Sequence, residues 1–213
     1  MMSISSIILL IIFISASVCS GSILELSDEY IAQYNNAHSK TQASANVTIP
    51  FAYPLVKQCG TTWSDDLMDT KTVCQVGCLM SSTSMGLAGT GILIDNVHSD
   101  PGSLNSWLKN NNGYDGSNDL IESIVPNIDP SRITWPADAM HRTNDLPYAT
   151  VVDYLKAGRI VIGNVHNGGH FVLLTGYSED GDTFGVNDSG FDVNTYSYTN
   201  DIVGYRIFDM KRE

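Results

Sequence analysis

The stretch that decides the fold is residues 158–190, GRIVIGNVHNGGHFVLLTGYSEDGDTFGVNDSG. Two apolar runs rich in Ile, Val and Leu, residues 159–165 and 170–177, have strand length and flank Gly168-Gly169. Residues 178–182 (SEDGD) read as a hairpin loop, and residues 183–187 return as the next strand. The run therefore predicts antiparallel strands. It opens at Gly158, where a helical pattern over residues 148–157 stops. Upstream of that pattern the chain also reads as helical, over residues 78–88, residues 103–109 behind Asp100-Pro101-Gly102, and residues 117–125. Residues 201–210 read as a last strand. Helices first and antiparallel strands after them predict an α+β domain over residues 49–213.

Composition bounds what such a domain does. Of 213 residues, 43% are hydrophobic and 16% charged, a globular balance with enough core for one domain. The chain has 11 Lys+Arg against 23 Asp+Glu, a formal charge of −12. Phosphate backbones and anionic lipids repel such a surface, so neither nucleic acid nor a membrane is expected as a partner. An acidic compartment would lower its self-repulsion.

Residues 1–22 carry no charged side chain, and residues 7–14 are an unbroken apolar run followed by small residues. That run is far below the roughly 20 residues a membrane span needs. It matches the hydrophobic region of a signal peptide, here assigned to residues 1–20. The mature protein is accordingly expected to be secreted or lysosome-like in location. Residues 21–48 read as a short helix (23–37, with Ser27 as its cap) and a polar connector. The connector carries a glycosylation acceptor, Asn46-Val47-Thr48.

Export changes the cysteine arithmetic. With Cys19 at or beyond the cleavage point, Cys59, Cys74 and Cys78 remain, and an odd number leaves one thiol over. Cys59–Cys74 would close a loop worth about 3 kcal/mol and free Cys78. Cys74–Cys78 and Cys59–Cys78 satisfy parity equally. A zinc site is disfavoured by the C-x3-C spacing, and no metal or cofactor is expected.

The chemistry centres on Cys78, at the point where Gly77-Cys78 enters an apolar, small-residue helix. A helix N-terminus offers the positive end of the dipole and unpaired N–H groups, both of which favour a thiolate. The alternative for Cys78 is a small buried hydrophobe, a common fate of free cysteine. His170 opens the strand after Gly168-Gly169, and Asp188 ends the returning strand of the hairpin. Strand start and returning strand end are neighbours in an antiparallel pair, so Asp188 reaches His170 and fixes its tautomer. Asn187 is the alternative orienter and His166 the alternative base, while His38, His98 and His141 lie in polar stretches. An oxyanion needs donors: the Cys78 backbone N–H is one, and Gln58 or Gln75 is the second.

These residues carry a resemblance. Tyr53-Pro54-Leu55 through Gln58, Trp63 and Gly77-Cys78-Leu79-Met80-Ser81-Ser82 resemble the opening of bacteriocin-processing-like (double-glycine leader peptidase-like) cysteine peptidases, part of the papain-like superfamily. Asp100-Pro101-Gly102, Leu104 and Trp107-Leu108 resemble its middle, and Gly169-His170-Phe171-Val172 with Asn187-Asp188-Ser189-Gly190 its close. The resemblance implies a papain-like α+β fold with Cys78 as nucleophile, His170 as base, Asp188 as orienter and Gln58 in the oxyanion hole. Its implied activity is cleavage of peptide or amide bonds. Ser189 stands where the family often has Pro, which is expected to loosen Asp188. Asn187-Asp188-Ser189 is also formally a glycosylation acceptor. Leader-processing members carry an attached ATP-driven exporter that these residues do not include, so bacteriocin maturation is not expected to carry over. The alternatives are a catalytically silent binding domain on the same fold and an amidase acting on bacterial cell-wall peptides.

Overall fold

A computed structural model of the chain describes residues 46–212 together with Ala32. The expected signal peptide, Cys19, His38 and all of the expected helix over residues 23–37 except Ala32, which is helical, lie outside the described residues. In chain order the strands and α-helices are β1 (Val47–Thr48), α1 (Val73–Val76), α2 (Cys78–Thr90), β2 (Leu93–Ile94), β3 (Val97–His98), α3 (Pro101–Asn110), β4 (Ile133–Thr134), β5 (Met140–His141), α4 (Tyr148–Lys156), β6 (Ile160–Val165), β7 (His170–Ser178), β8 (Thr183–Asn187), β9 (Thr195–Ser197) and β10 (Gly204–Met210). Among the described residues two 3-10 segments, Glu122–Ile128 and His166–Gly168, accompany them. The chain thus combines helices with an antiparallel sheet, as an α+β domain.

The sheet runs β4-β10-β6-β7-β8-β9, with β1 added to β7 and β5 to β10, and every pairing is antiparallel. Successive side chains of a strand point to opposite faces, and the central strands are apolar at both. Ile160, Ile162, Phe171, Leu173 and Phe208 join one core with α2 and α3. Val161, Val165, Val172, Leu174 and Ile207 join a second core with α4. The sheet is therefore covered on both faces, which explains the continuous apolar runs of β6 and β7.

Helix α2 is the central pillar. Among its 13 residues only Ala88 and Gly89 escape full burial. Its small residues permit that depth: a Cβ on Gly86 would stand 2.8 Å from Ile160 Cγ2 on β6. Ser82 Oγ donates to Phe171 O at 3.3 Å, tying the helix to β7 one residue beyond His170. Asp100 caps α3 through a reciprocal pair with Ser103, and Pro101 follows at the first helical position.

Three expectations need correction. Residues 117–125 are not an α-helix. Asn118 takes a left-handed conformation (φ 71°), and its Oδ1 accepts the amides of Asp69, Thr70 and Lys71. Only the 3-10 segment Glu122–Ile128 follows, with Pro126 inside it, where a missing N–H and a clash with the preceding residue oppose an α-helix. The polar connector does not run to Thr48, because Val47 and Thr48 pair with Ser178 and Tyr177. The last strand begins at Gly204, since Asp201 bonds back to the Ser197 amide at 2.8 Å.

Candidate active site

Cys78 is the first residue of α2, and Gly77 joins that helix to α1 in a tight corner. A Cβ on Gly77 would lie 2.5 Å from Val73 O, so the corner requires glycine. Gly77 supplies no side-chain cap to the first turn of α2. The Cys78 thiol is free, and its residue is 1% exposed. A disulfide joins Cys59 to Cys74.

His170, at the start of β7, is fully buried. Its Nε2 is 2.8 Å from Asp188 Oδ1, across the hairpin formed by β7 and β8. Its Nδ1 is buried without a hydrogen bond, and the Cys78 sulfur acts on the same ring. Burial pushes the imidazole down, but the charge and hydrogen bond of Asp188, helped by Cys78, outweigh it and push His170 up to about 10. Asp188 is shifted the other way: burial raises it, but the His170 charge and hydrogen bond and the Phe191 and Gly190 amides hold it below the ordinary carboxylate range. Both directions describe an imidazolium–carboxylate pair.

Asp188 is gripped on both oxygens. Oδ1 also accepts from the Gly190 and Phe191 amides at 2.8 and 2.9 Å, and Oδ2 accepts from Tyr196 Oη at 2.8 Å. The expected loosening by Ser189 is corrected by this geometry. Ser189 Oγ donates to Gln58 Oε1 at 2.8 Å and Ser189 O accepts from Gln58 N at 3.0 Å, so the serine fastens the turn where proline would offer no hydroxyl. Asn187 does not reach His170, because its Nδ2 donates to Tyr53 O at 3.1 Å.

Gln58 is fully buried and lies beside Cys59 of the disulfide. Its Nε2 donates to Cys74 O at 2.8 Å, with a longer 3.4 Å contact to Val73 O. Gln58 thus braces the Asp188 turn against α1. Gln75 serves α1 itself: its Oε1 accepts the Thr72 amide at 3.0 Å and closes a capping box.

Two residues join the site that sequence reasoning left out or set aside. Tyr196 lies on β9, and no spacing signal in the sequence marks it. His166, the alternative base, instead places its Nε2 3.1 Å from Tyr196 Oη. His98 is exposed, and His141 pairs with Asp145 at 2.8 Å. Among the described residues no group of three or more His, Cys, Asp or Glu side chains is arranged to hold a metal. Asn46 is exposed.

A cleft of about 560 Å³ opens beside this cluster. Leu79 and Phe171, the residues after Cys78 and His170, line it, with Asp119, Glu122 and Arg206 on its walls. Arg206 Nε donates to Glu122 Oε1 at 2.6 Å.

A family model described as the Peptidase C39 like family matches residues 51–207. The chain belongs to that family. The span shared with the C39-like model includes Gln58, Cys78, His170 and Asp188, and ends within β10. No curated protein and no solved structure matches the chain.

Proposed function

We propose that the protein is a secreted or lysosome-like cysteine peptidase that cleaves peptide bonds on a papain-like fold. The observation that carries this reading is the meeting of a free thiol at a helix start with a buried imidazolium–carboxylate pair, in a C39-like chain. Cys78 Sγ attacks the substrate carbonyl carbon, and the C–N bond then breaks while His170 gives its proton to the leaving amine. His170, neutral at that point, takes a proton from water, the hydroxide displaces sulfur from the thioester, and the acid leaves. Asp188 holds the ring so that Nδ1 faces the reacting atoms. The carbonyl oxygen, negative in between, draws on the Cys78 backbone N–H. Gln58 supplies the second donor: its bond to Cys74 O uses one amide hydrogen, and the 3.4 Å contact to Val73 O is long enough to yield the other. Export is supported by the uncharged apolar run of residues 7–14 and by the Cys59–Cys74 disulfide. The exposed Asn46 is accordingly the glycan acceptor of the exported protein.

The test is turnover of a peptide library by mature protein and by Cys78→Ala. A loss of about 10⁴-fold or more is expected, and equal turnover overturns the mechanism. One observation favours a second reading, a silent binding domain: Cys78 and His170 are 1% and 0% exposed, so a substrate meets the sulfur only after the cleft floor shifts. Peptide bound without cleavage, by a protein whose Cys78 stays unlabelled by iodoacetamide, would select that reading.

A further inference from the structure

The hydrogen bonds around Asp188 continue past the residues that the proposed reaction uses. Oδ1 has three donors, His170 and two backbone amides. Among the described residues, Oδ2 accepts from the Tyr196 hydroxyl. A phenol has one proton, and in this geometry it points to the carboxylate. The Tyr196 oxygen then accepts from His166, which fixes His166 as the tautomer with hydrogen on Nε2. The chain of contacts reads His166, Tyr196, Asp188, His170.

Backbone conformation gives a second, independent sign. His166 and Asn167 take φ values of 53° and 55° in the turn between β6 and β7. Neither is glycine, and strain of this kind persists only where the surroundings over-determine it, often beside a functional centre. Here it sets the His166 ring over Phe191, with centroids 4.8 Å apart. Phe191 in turn stands edge-on to His170 at 5.0 Å and donates its amide to Asp188 Oδ1.

We propose that Tyr196 and His166 are positioning residues: they hold the outer oxygen of Asp188 and, through it, the ring of His170 against Cys78. The proposal rests on the reading of Cys78 and His170 as the reacting pair. The titratable groups that contact Asp188 are His170 on β7 and Tyr196 on β9; behind them Cys78 on α2 acts on His170, and His166 on the strained turn contacts Tyr196. Lys57 Nζ sits on the Asp188 and Phe191 carbonyls at 3.1 and 2.6 Å and pairs with Asp192 at 3.1 Å. Of these, Tyr196 alone serves Oδ2, so losing its hydroxyl leaves one oxygen of a buried carboxylate without a donor. The carboxylate then takes up a proton more readily and the imidazolium loses its counter-charge, so the His170 ring beside Cys78 holds its proton less tightly.

The experiment is the rate of Cys78 alkylation by iodoacetamide against pH in full-length mature protein, read by mass mapping. Tyr196→Phe removes only the hydroxyl and is expected to move the acid limb of that profile up by about one pH unit. A residue with a merely structural role would change the amount of folded protein and leave the limb in place. His166→Gln keeps a donor for Tyr196 and is expected to retain the wild-type profile, whereas His166→Leu follows Tyr196→Phe. A Tyr196→Phe limb coincident with wild type, or equal impairment by Gln and Leu at position 166, overturns the proposal while the Cys78–His170 reading stands. Wild-type Cys78 that reacts no faster than a free thiol in acid overturns that reading, and the proposal with it.

Discussion

Two acidic regions near the cleft respond to burial in opposite ways. At Asp188 the carboxylate is almost wholly buried, yet its charge is stabilised by His170, two amides and Tyr196. At Asp119 the side chain is only half-buried, yet its proton is held more tightly than usual, through desolvation first and then the charges of Asp115 and Glu122. Arg206 offsets this only in part, because its guanidinium is bonded to Glu122. Depth does not decide which way a carboxylate shifts. What decides it is the charge facing the carboxylate, together with the donors that the backbone and neighbours deliver to its oxygens.

The largest expected break in this contrast is Asp188→Asn. The amide keeps the size but loses the charge, so peptide hydrolysis is expected to fall by about 10³-fold or more, measured as kcat/KM. A loss under tenfold would mean that the donors around Asp188 serve the fold and not the imidazole.

A pH series of chemical denaturation sharpens the contrast next. Asp188 is depressed on folding, so its contribution is present above its unfolded pKa of about 4 and lost as pH falls through the folded value. His170 is raised to about 10, so its contribution is full below its unfolded pKa of about 6.5 and fades as pH climbs toward the folded value. The pair therefore contributes fully between about pH 4 and 6.5, and stability is expected to decline from pH 7 to 10. Asp188→Asn should flatten that decline; an unchanged slope would assign it to other groups.

A smaller effect is expected at Ser189→Ala, which leaves the buried Gln58 Oε1 without its donor. The loss should be about 1–2 kcal/mol in urea denaturation. No change would show that the brace on the Asp188 turn is dispensable. The smallest effect belongs to Asp119→Asn, which relieves like-charge repulsion at a half-exposed site. A gain of at most about 0.5 kcal/mol is expected at neutral pH after solvent screening, vanishing near pH 3, where the wild-type carboxyl is already protonated. A destabilised variant at neutral pH would break the contrast from its weaker side.

The central strands were legible because each carries its own signal, an apolar run of strand length bounded by Gly or a polar loop. The short strands β1, β4, β5 and β9 were not, since two or three residues show no period and pair only because a long partner is already there. Residues 117–125 mislead for a related reason. Their apolar spacing suggests a helix, while Pro126 and the Asn118 side chain, acting on a distant loop, favour something else. At the site, the hairpin spacing between His170 and Asp188 is local and readable. The contacts of Tyr196 with Asp188 and His166 join a strand, a turn and a loop that no spacing rule relates.

The buried turn at Asp188 also bears on how the protein is made. Asn187-Asp188-Ser189 satisfies the sugar-acceptor pattern, yet in the folded chain Asp188 and Ser189 are each 1% exposed and the Asn187 amide is spent on Tyr53. Oligosaccharide transfer acts on chains before they close, so in a glycosylating host this tripeptide enters a race. If β7 and β8 pair first, the half-buried Asn187 amide is already held by Tyr53 and its two neighbours are buried. If the transferase arrives first, a bulky sugar on Asn187 sits where Tyr53 must dock, and closure of the turn is opposed. A host without that transferase runs no such race, so yield of folded protein should depend on the host even where the coding sequence does not.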